Sequence, residues 1–166
     1  MVKPAREKFT SPTLYLKHRG LVDEQKLVNT FQEWFNDNKY RTHFPKYKVK
    51  AAESEYMMTG ERDITEYCKF WIRIHIWMRG MQDVEVVKDG EKVKMKDCYM
   101  QLEIEGWFLV DYNKRFKGNK FLQWLQDFYQ NYVIKQVWSD VWEDDLLLKQ
   151  QQLLADLKEV IGTEVS

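Results

Sequence analysis

The chain has 166 residues, and its 26 Lys and Arg side chains are balanced by 26 Asp and Glu, so the formal net charge is zero. This length is typical of one folded domain. Zero net charge removes the whole-molecule attraction that draws basic proteins to nucleic acids or anionic membranes. Aromatic residues make up 15% of the chain and include seven Trp, so large rings are expected to dominate the core.

The two cysteines are typical of a protein in a reducing compartment, and the hydropathy pattern is typical of one without a membrane span. Cys68 and Cys98 form no C-x-x-C or His-spaced pattern, so we expect neither a disulfide framework nor a zinc site. No stretch approaches the roughly 20 apolar residues of a membrane span, and the N-terminal residues lack the apolar core of a secretory signal. We therefore expect a cytoplasmic protein with no transmembrane segment, no metal ion and no other cofactor.

The N-terminal part of the chain predicts a strand and a helix. Thr13–Lys17 is a short extended run, and Asp23 is a good N-cap for a helix that continues through Phe35. Its apolar stripe at helical spacing consists of Leu27, Phe31, Trp34 and Phe35. Beyond this helix, Tyr47–Met58 predicts a strand, and Thr59–Asp63, which contains Gly60, predicts the turn that follows.

The clearest pattern in the sequence is a strict alternation from Phe70 to Arg79, which predicts a strand with one buried face. The expected core face holds Phe70, Ile72, Ile74, Ile76 and Met78, and the opposite face holds Trp71, Arg73, His75, Trp77 and Arg79. Gly80 is expected to end this strand. Val84–Met95 then predicts a hairpin closed at Asp89-Gly90, a strong two-residue turn signal.

A last long strand is predicted from Tyr99 to Tyr112, with a bulge or bend at Gly106. Met100, Leu102, Ile104, Phe108 and Val110 are expected to point inward, and Gln101, Glu103, Glu105 and Trp107 outward.

Two helices are predicted at the C-terminal end. The first runs from Asn119 to Ile134, and we expect its apolar stripe to lie against the sheet. That stripe consists of Phe121, Leu125, Phe128 and Tyr132, broadened by Trp124 and Tyr129. The second begins with Ser139 as its N-cap and runs to about Ile161. It carries two apolar rows at heptad spacing, Leu146, Leu153 and Val160 beside Leu147, Leu154 and Ile161.

These elements predict an α+β fold in one domain that spans residues 1–166. The expected architecture is a curved antiparallel sheet of about five or six strands with one N-terminal helix and two C-terminal helices, in the order β-α-β(4–5)-α-α. Residues 139–162 form an amphipathic C-terminal helix that could stand apart from the rest of the domain.

The outward row of the central strand is the main candidate binding site, formed by Trp71, Arg73, His75, Trp77 and Arg79 together with Trp107. Interleaved rings and cations on a sheet face suit stacking on nucleic-acid bases and contact with phosphates. The same residues could instead make ordinary cross-strand pairs with Glu103 and Glu105, or form a surface for a protein or small ligand. With zero net charge, nucleic acid is the least favoured partner.

Catalytic patterns are missing from the sequence: there is no G-x-S-x-G, phosphate loop, H-E-x-x-H or dinucleotide fingerprint. Glu53 and Glu55 could act as an acid and base pair if they faced a cavity. Because the apolar alternation around them is poor, solvated glutamates at a strand edge are the better interpretation. We assign no catalytic residue and favour a protein that is not an enzyme.

Two resemblances supplement these patterns. The order of an early strand and helix, a long antiparallel sheet and a closing helix resembles the helix-grip arrangement of START-type carriers, which implies a cavity under the last helix. The lining it implies consists of Phe70, Ile72, Ile74, Met100, Leu102, Phe108 and Phe128. The segments Trp34-Phe35, Tyr40, Asp83–Gly90, Asp111-Tyr112 and Phe121–Tyr132 are similar to small uncharacterised proteins of archaea, which implies a cytosolic prokaryotic origin and no particular activity.

The sequence therefore leaves two functional hypotheses. The first is a non-enzymatic binding or assembly module that contacts another protein or a second copy of itself. Its contacts would come from the C-terminal helix, through Trp142, Leu146, Leu153, Leu154 and Val160. The alternative is a helix-grip carrier of a hydrophobic small molecule or lipid.

Overall fold

The computed structural model describes residues 8–162, apart from the side chains of Pro45, Trp138 and Ser139. An antiparallel sheet of six strands is flanked by one N-terminal helix and two C-terminal helices, so the predicted α+β fold class is confirmed. The strands are β1 (Lys8–Thr10), β2 (Leu14–Val22), β3 (Arg41–Lys50), β4 (Glu53–Asp63), β5 (Cys68–Lys88) and β6 (Glu91–Val110). The helices are α1 (Glu24–Asp37), α2 (Lys120–Phe128) and α3 (Glu143–Ile161).

The strands lie in the order β1-β6-β5-β4-β3, and β2 pairs with the same strand, β6, as β1 does. The two N-terminal strands thus pair with the last strand of the sheet. At the centre is the β5–β6 hairpin, whose turn residues Asp89 and Gly90 have φ values of 50° and 82°. Positive φ at both positions is what a tight two-residue hairpin turn requires, so the predicted turn is confirmed.

One face of the β5–β6 hairpin forms the core, as the alternation predicts. Every inward residue of β5 from Phe70 to Met78 is buried, and so are Met100, Leu102, Ile104, Phe108 and Val110 of β6. Helices α1 and α3 cover this face and contact each other. The side chain of Asp23 accepts a hydrogen bond from the backbone N–H of Lys26 at 3.0 Å, so the predicted N-cap of α1 is confirmed.

The predicted strand Tyr47–Met58 is wrong, because a turn at Ala51 and Ala52 divides this stretch between β3 and β4. The predicted turn at Thr59–Asp63 is wrong as well, since these residues belong to β4 and pair with β5. Gly60 serves another purpose: the ring of Phe35 from α1 packs directly on its backbone, and a Cβ atom there would overlap that ring.

Two further glycines differ from their predicted roles. Gly80 does not end its strand; β5 continues to Lys88, with a register irregularity between Arg79 and Gln82. Gly106 forms no bulge but pairs regularly with Ile72. A Cβ atom on Gly106 would lie 2.8 Å from Cδ of Gln150, so the glycine lets α3 approach the sheet. There the buried Gln150 donates a hydrogen bond from Nε2 to the carbonyl of Ile104 at 3.3 Å.

The C-terminal helices begin and end differently from the prediction. Asn119 caps α2 by accepting a hydrogen bond from the N–H of Leu122 at 2.8 Å, which confirms the predicted start. The helix then passes into a π-helical turn, Tyr129–Val133. The predicted N-cap at Ser139 is wrong, because a second π-helical turn, Val137–Trp142, leads directly into α3. None of the helices within residues 8–162 has the length and hydropathy that a membrane span needs.

Replacing Gly60 with Ala tests the contact between α1 and β4. The added methyl group must displace the Phe35 ring, and such overpacking costs about 1–3 kcal/mol of unfolding free energy. In the double variant Gly60→Ala/Phe35→Leu the smaller side chain leaves room for the methyl group, so the loss should be smaller than the sum of the two single losses. Chemical denaturation of the four proteins measures this coupling. Strict additivity would contradict the packing described here.

Candidate functional site

The predicted aromatic and cationic residues lie together on the solvent-facing side of the sheet. We call them the outer row: Trp71, Arg73, His75, Trp77, Arg79 and Trp107. Trp71 and Trp107 face each other across β5 and β6 and stack with parallel rings at a centroid distance of 5.9 Å. Arg73 forms an ion pair with Glu105, and its guanidinium carbon lies 5.5 Å from the Trp107 ring centroid. Lys8 lies 4.9 Å from the same ring centroid.

His75 belongs to a second polar cluster in the outer row. Its Nε2 lies 2.7 Å from Oε1 of Glu55 on β4, and the Nζ of Lys46 on β3 donates to the same oxygen at 2.6 Å. These two hydrogen bonds lower the pKa of Glu55 to about 2, and the one from Lys46 has the larger effect. Glu103 is the register partner of His75, yet the ring hydrogen-bonds Glu55 instead.

The partners of the outer row favour a structural role for Arg73, His75 and Trp107. Arg73 and His75 are matched by carboxylates on neighbouring strands, and Trp107 stacks on Trp71 between two cations. Rings and cations that bind each other have less to offer a nucleic acid, which needs open ring faces and cations available for phosphates. The predicted glutamate pair is also divided: Glu55 belongs to this cluster, whereas Glu53 is exposed on the same strand.

The predicted oligomer contacts on the C-terminal helix lie inside the domain. Trp142, Leu146 and Leu153 are buried, and Leu154 and Val160 are partly buried against the same core. The Trp142 ring makes an edge-to-face contact with Phe108 of β6 at 6.0 Å. Helix α3 is thus packed on the sheet, and these five side chains present no open apolar face.

Helix α2 has the opposite orientation from the one its apolar stripe predicts. Gln126 and Gln130 are the buried side chains of α2 and the turn that follows it, with exposures of 4% and 8%. Gln126 donates from Nε2 to Oδ2 of the buried Asp111 at 3.5 Å, and Gln130 donates from Nε2 to the hydroxyl of Tyr67 at 3.1 Å. Hydrogen-bonded amides therefore face inward, and the expectation that the stripe lies against the sheet is wrong for Phe121, Trp124, Phe128 and Tyr132. Of the predicted rings only Tyr129 packs on the core, where it meets Tyr67 edge to face at 5.5 Å.

The outward face of α2 is a continuous row of rings. We call it the aromatic ridge: Phe121, Trp124, Phe128 and Tyr132, which are 65%, 50%, 44% and 78% exposed. Successive rings stack on each other, at centroid distances of 6.0, 5.8 and 5.0 Å. Val133, Val137 and Val141 are exposed as well and add to the apolar surface of the same segment. An exposed apolar surface of this extent marks an interaction site more often than a scattered ring does.

A cavity of about 440 Å³ opens between the N-terminal end of α1 and the sheet. Its apolar lining includes Val28, Phe31, Met58, Ile74, Ile76 and Met95, and it is also lined by the rings of Phe44, Tyr47 and Tyr56 and by the charged residues Asp23, Glu24, Asp83, Lys94 and Lys96. This cavity lies beside α1, whereas the helix-grip resemblance implies one beneath the last helix. Of the lining implied there, Ile74 reaches the observed cavity, Phe128 belongs to the aromatic ridge, and the other five residues are fully packed in the core.

The described residues include no cluster of metal ligands, and their two thiols are buried. Within residues 8–162, no group of three or more His, Cys, Asp and Glu side chains could hold a metal ion. Cys68 and Cys98 are free thiols, both buried. Burial raises the pKa of the Cys68 thiol to about 12, so the nucleophilic thiolate does not form near neutral pH.

The Glu55 cluster predicts a specific acid sensitivity. The ordinary pKa of a glutamate is 4.5 and that of Glu55 is about 2, so the ionised carboxylate stabilises the fold above pH 4.5, and this contribution is lost as the pH falls through about 2. We expect the free energy of unfolding of Glu55→Gln to fall less steeply with acid than that of the wild type. Urea denaturation at a series of pH values measures both slopes. Glu53→Gln is the matched control and should keep the wild-type slope; equal slopes for both variants would contradict the assignment.

Comparison with known proteins adds no assignment to this geometry: no protein-family model matches the chain, and no curated protein is significantly similar to it. The aromatic ridge, the cavity and the outer row are therefore interpreted from their own chemistry.

Proposed function

We propose that this protein is a non-enzymatic assembly module that binds a second copy of itself through the aromatic ridge. One observation carries the proposal: α2 and the π-helical turn after it bury the amides of Gln126 and Gln130 and expose the rings of Phe121, Trp124, Phe128 and Tyr132. A helix on a monomer surface normally has the reverse arrangement, because apolar side chains leave water when they pack on the core. The arrangement found in α2 is the one expected of a helix that packs against a partner.

The free energy available from covering the ridge supports a stable interface. Full burial of a large apolar side chain contributes about 1.5–3 kcal/mol, and the four rings are about half exposed, so covering them contributes several kcal/mol per copy. The rings are also already stacked on one another along the helix. Side chains that are ordered before binding lose less conformational entropy on association.

The charges at the two ends of the ridge favour a second copy as the partner. Exposed basic residues precede it, namely Lys114 and Lys120, and beyond the exposed Lys135 the exposed acidic residues Glu143 and Asp144 follow it. In an antiparallel pair related by a two-fold axis, the basic end of each copy lies beside the acidic end of the other. An anionic membrane surface would attract the basic end and repel the acidic one, so lipid is a poorer match.

Removing two ridge rings tests the proposal. We expect the wild-type protein to have the mass of a dimer in light scattering coupled to size-exclusion chromatography, and Trp124→Ser/Phe128→Ser to have the mass of a monomer. Each ring is lost from both copies, so the dissociation constant should rise by at least about 100-fold. Tyr15→Ser on β2 is the matched control, because Tyr15 is also an exposed ring, at 60%, but lies outside the ridge. This variant should remain dimeric.

Two results would contradict the proposal. One is a wild-type protein that stays monomeric at high micromolar concentration. The other is a ridge variant that keeps the wild-type mass. A monomer that binds anionic vesicles and loses this binding with the ridge substitutions would assign the ridge to a lipid surface instead.

A charge exchange tests the antiparallel arrangement. Lys120→Glu places acidic groups opposite acidic groups and should weaken the dimer, by about tenfold for one or two exposed ion pairs. Because each copy supplies both ends, Lys120→Glu/Asp144→Lys in one chain restores opposite charges and should recover most of the lost affinity. Sedimentation equilibrium at low salt measures the three dissociation constants. A double variant weaker than Lys120→Glu would contradict the arrangement.

A further inference from the structure

We propose that the cavity beside α1 binds a small organic cation with an apolar body, such as an alkylammonium compound. No residue of the aromatic ridge lines this cavity, so the inference goes beyond the assembly function and does not depend on it.

The walls of the cavity suit an apolar body. Its volume of about 440 Å³ lies within the range of pockets that hold small molecules. Val28 and Phe31 line it from α1, and Met58 of β4, Ile74 of β5 and Met95 of β6 line it from the sheet. An aliphatic chain that enters leaves water for apolar contacts on both sides.

The charged residues that line the cavity favour a ligand with a cationic head group. Glu24, in the first turn of α1, lines the cavity and is only partly exposed. In the described part of the chain its carboxylate has no hydrogen bond or ion pair, whereas Asp23 caps α1 and Asp83 pairs with Lys96. Burial raises the pKa of Glu24, and the charge of Asp83 adds to this rise, while the charge of Lys96 opposes it. A bound cation would stabilise the ionised carboxylate further.

The aromatic residues that line the cavity point to the same class of ligand. Phe44 and Tyr47 are largely exposed, and Tyr47 meets Tyr56 edge to face at 5.0 Å. Aromatic faces attract organic ammonium groups through their quadrupole, and they do so most strongly where water is excluded. Two lysines also line the cavity: Lys96 pairs with Asp83, and Lys94 is the register partner of Glu85 on β5. Because three carboxylates line the cavity against these two lysines, the lining is net negative and disfavours a ligand with a carboxylate head.

Three probes have a chain of the same length and different head groups: octyltrimethylammonium, octanol and octanoate, each used below its aggregation concentration. Comparing them separates the contribution of the head group to binding from that of the chain. Binding is followed by NMR of methyl-labelled methionines in the intact protein. The methyl groups of Met58 and Met95 line the cavity and should shift on titration, whereas Met78 and Met100, buried elsewhere in the core, serve as internal controls. We expect the ammonium compound to bind about tenfold more tightly than octanol, and octanoate to bind more weakly than both.

Two variants complete the test. Glu24→Gln should weaken octyltrimethylammonium about tenfold and leave octanol unchanged, because only the charge is removed. Val28→Trp should fill the cavity and remove binding of all three probes, while the shifts of Met78 and Met100 report that the fold is intact.

Three outcomes would overturn the inference. They are octanoate binding as tightly as the ammonium compound, no shift of Met58 and Met95 with any probe, and Glu24→Gln binding the ammonium compound as well as the wild type does. None of them bears on the mass of the protein in solution, so the assembly proposal is judged separately.

Discussion

The limited area of the inner sheet face is the constraint on which the rest of the structure depends. The alternating residues of β5 and β6 offer one apolar surface, and α1 and α3 cover it apart from the cavity beside α1. Little of this surface is left for a third helix. Helix α2 therefore attaches to the domain by hydrogen bonds from Gln126 and Gln130 to Asp111 and Tyr67, and its aromatic side chains stay on the outside.

Close contact between helices and sheet makes this coverage possible, and two glycines provide it. At Gly60 the Phe35 ring of α1 rests on bare backbone, and at Gly106 the Gln150 side chain of α3 does the same. Gln150 is fully buried, and both ends of its amide have partners in the core: Nε2 donates to the carbonyl of Ile104, and Oε1 accepts from the hydroxyl of Ser11. The same packing brings the apolar rows of α3 into the core, so the surface for association shifts from α3 to α2.

Local signals in the sequence predict the elements well where one short stretch carries the whole signal. Asp23 and Asn119 as N-caps, the alternation from Phe70 to Met78 and the Asp89-Gly90 turn are of this kind. The turn at Ala51 and Ala52 carries no Gly, Pro, Asn or Asp, so nothing in the sequence separates β3 from β4.

Features set by distant residues could not be predicted in the same way. Gly60 and Gly106 resemble a turn and a bulge until their contacts with Phe35 and Gln150 are known. The alternation predicts that the outer row faces outward. Which carboxylate binds His75 depends on the register of a neighbouring strand, β4, which supplies Glu55. The stripe of α2 predicts an amphipathic helix, and only Asp111 and Tyr67 show which of its faces is inward.

The most direct test of this account is an isotope-filtered nuclear Overhauser experiment on a dimer assembled from labelled and unlabelled chains. The account predicts intermolecular contacts among the rings of Phe121, Trp124 and Phe128, since these side chains are covered by the second copy. Ring signals with only intramolecular contacts, in a protein that is nevertheless dimeric, would contradict it, because the interface would then lie elsewhere on the molecule.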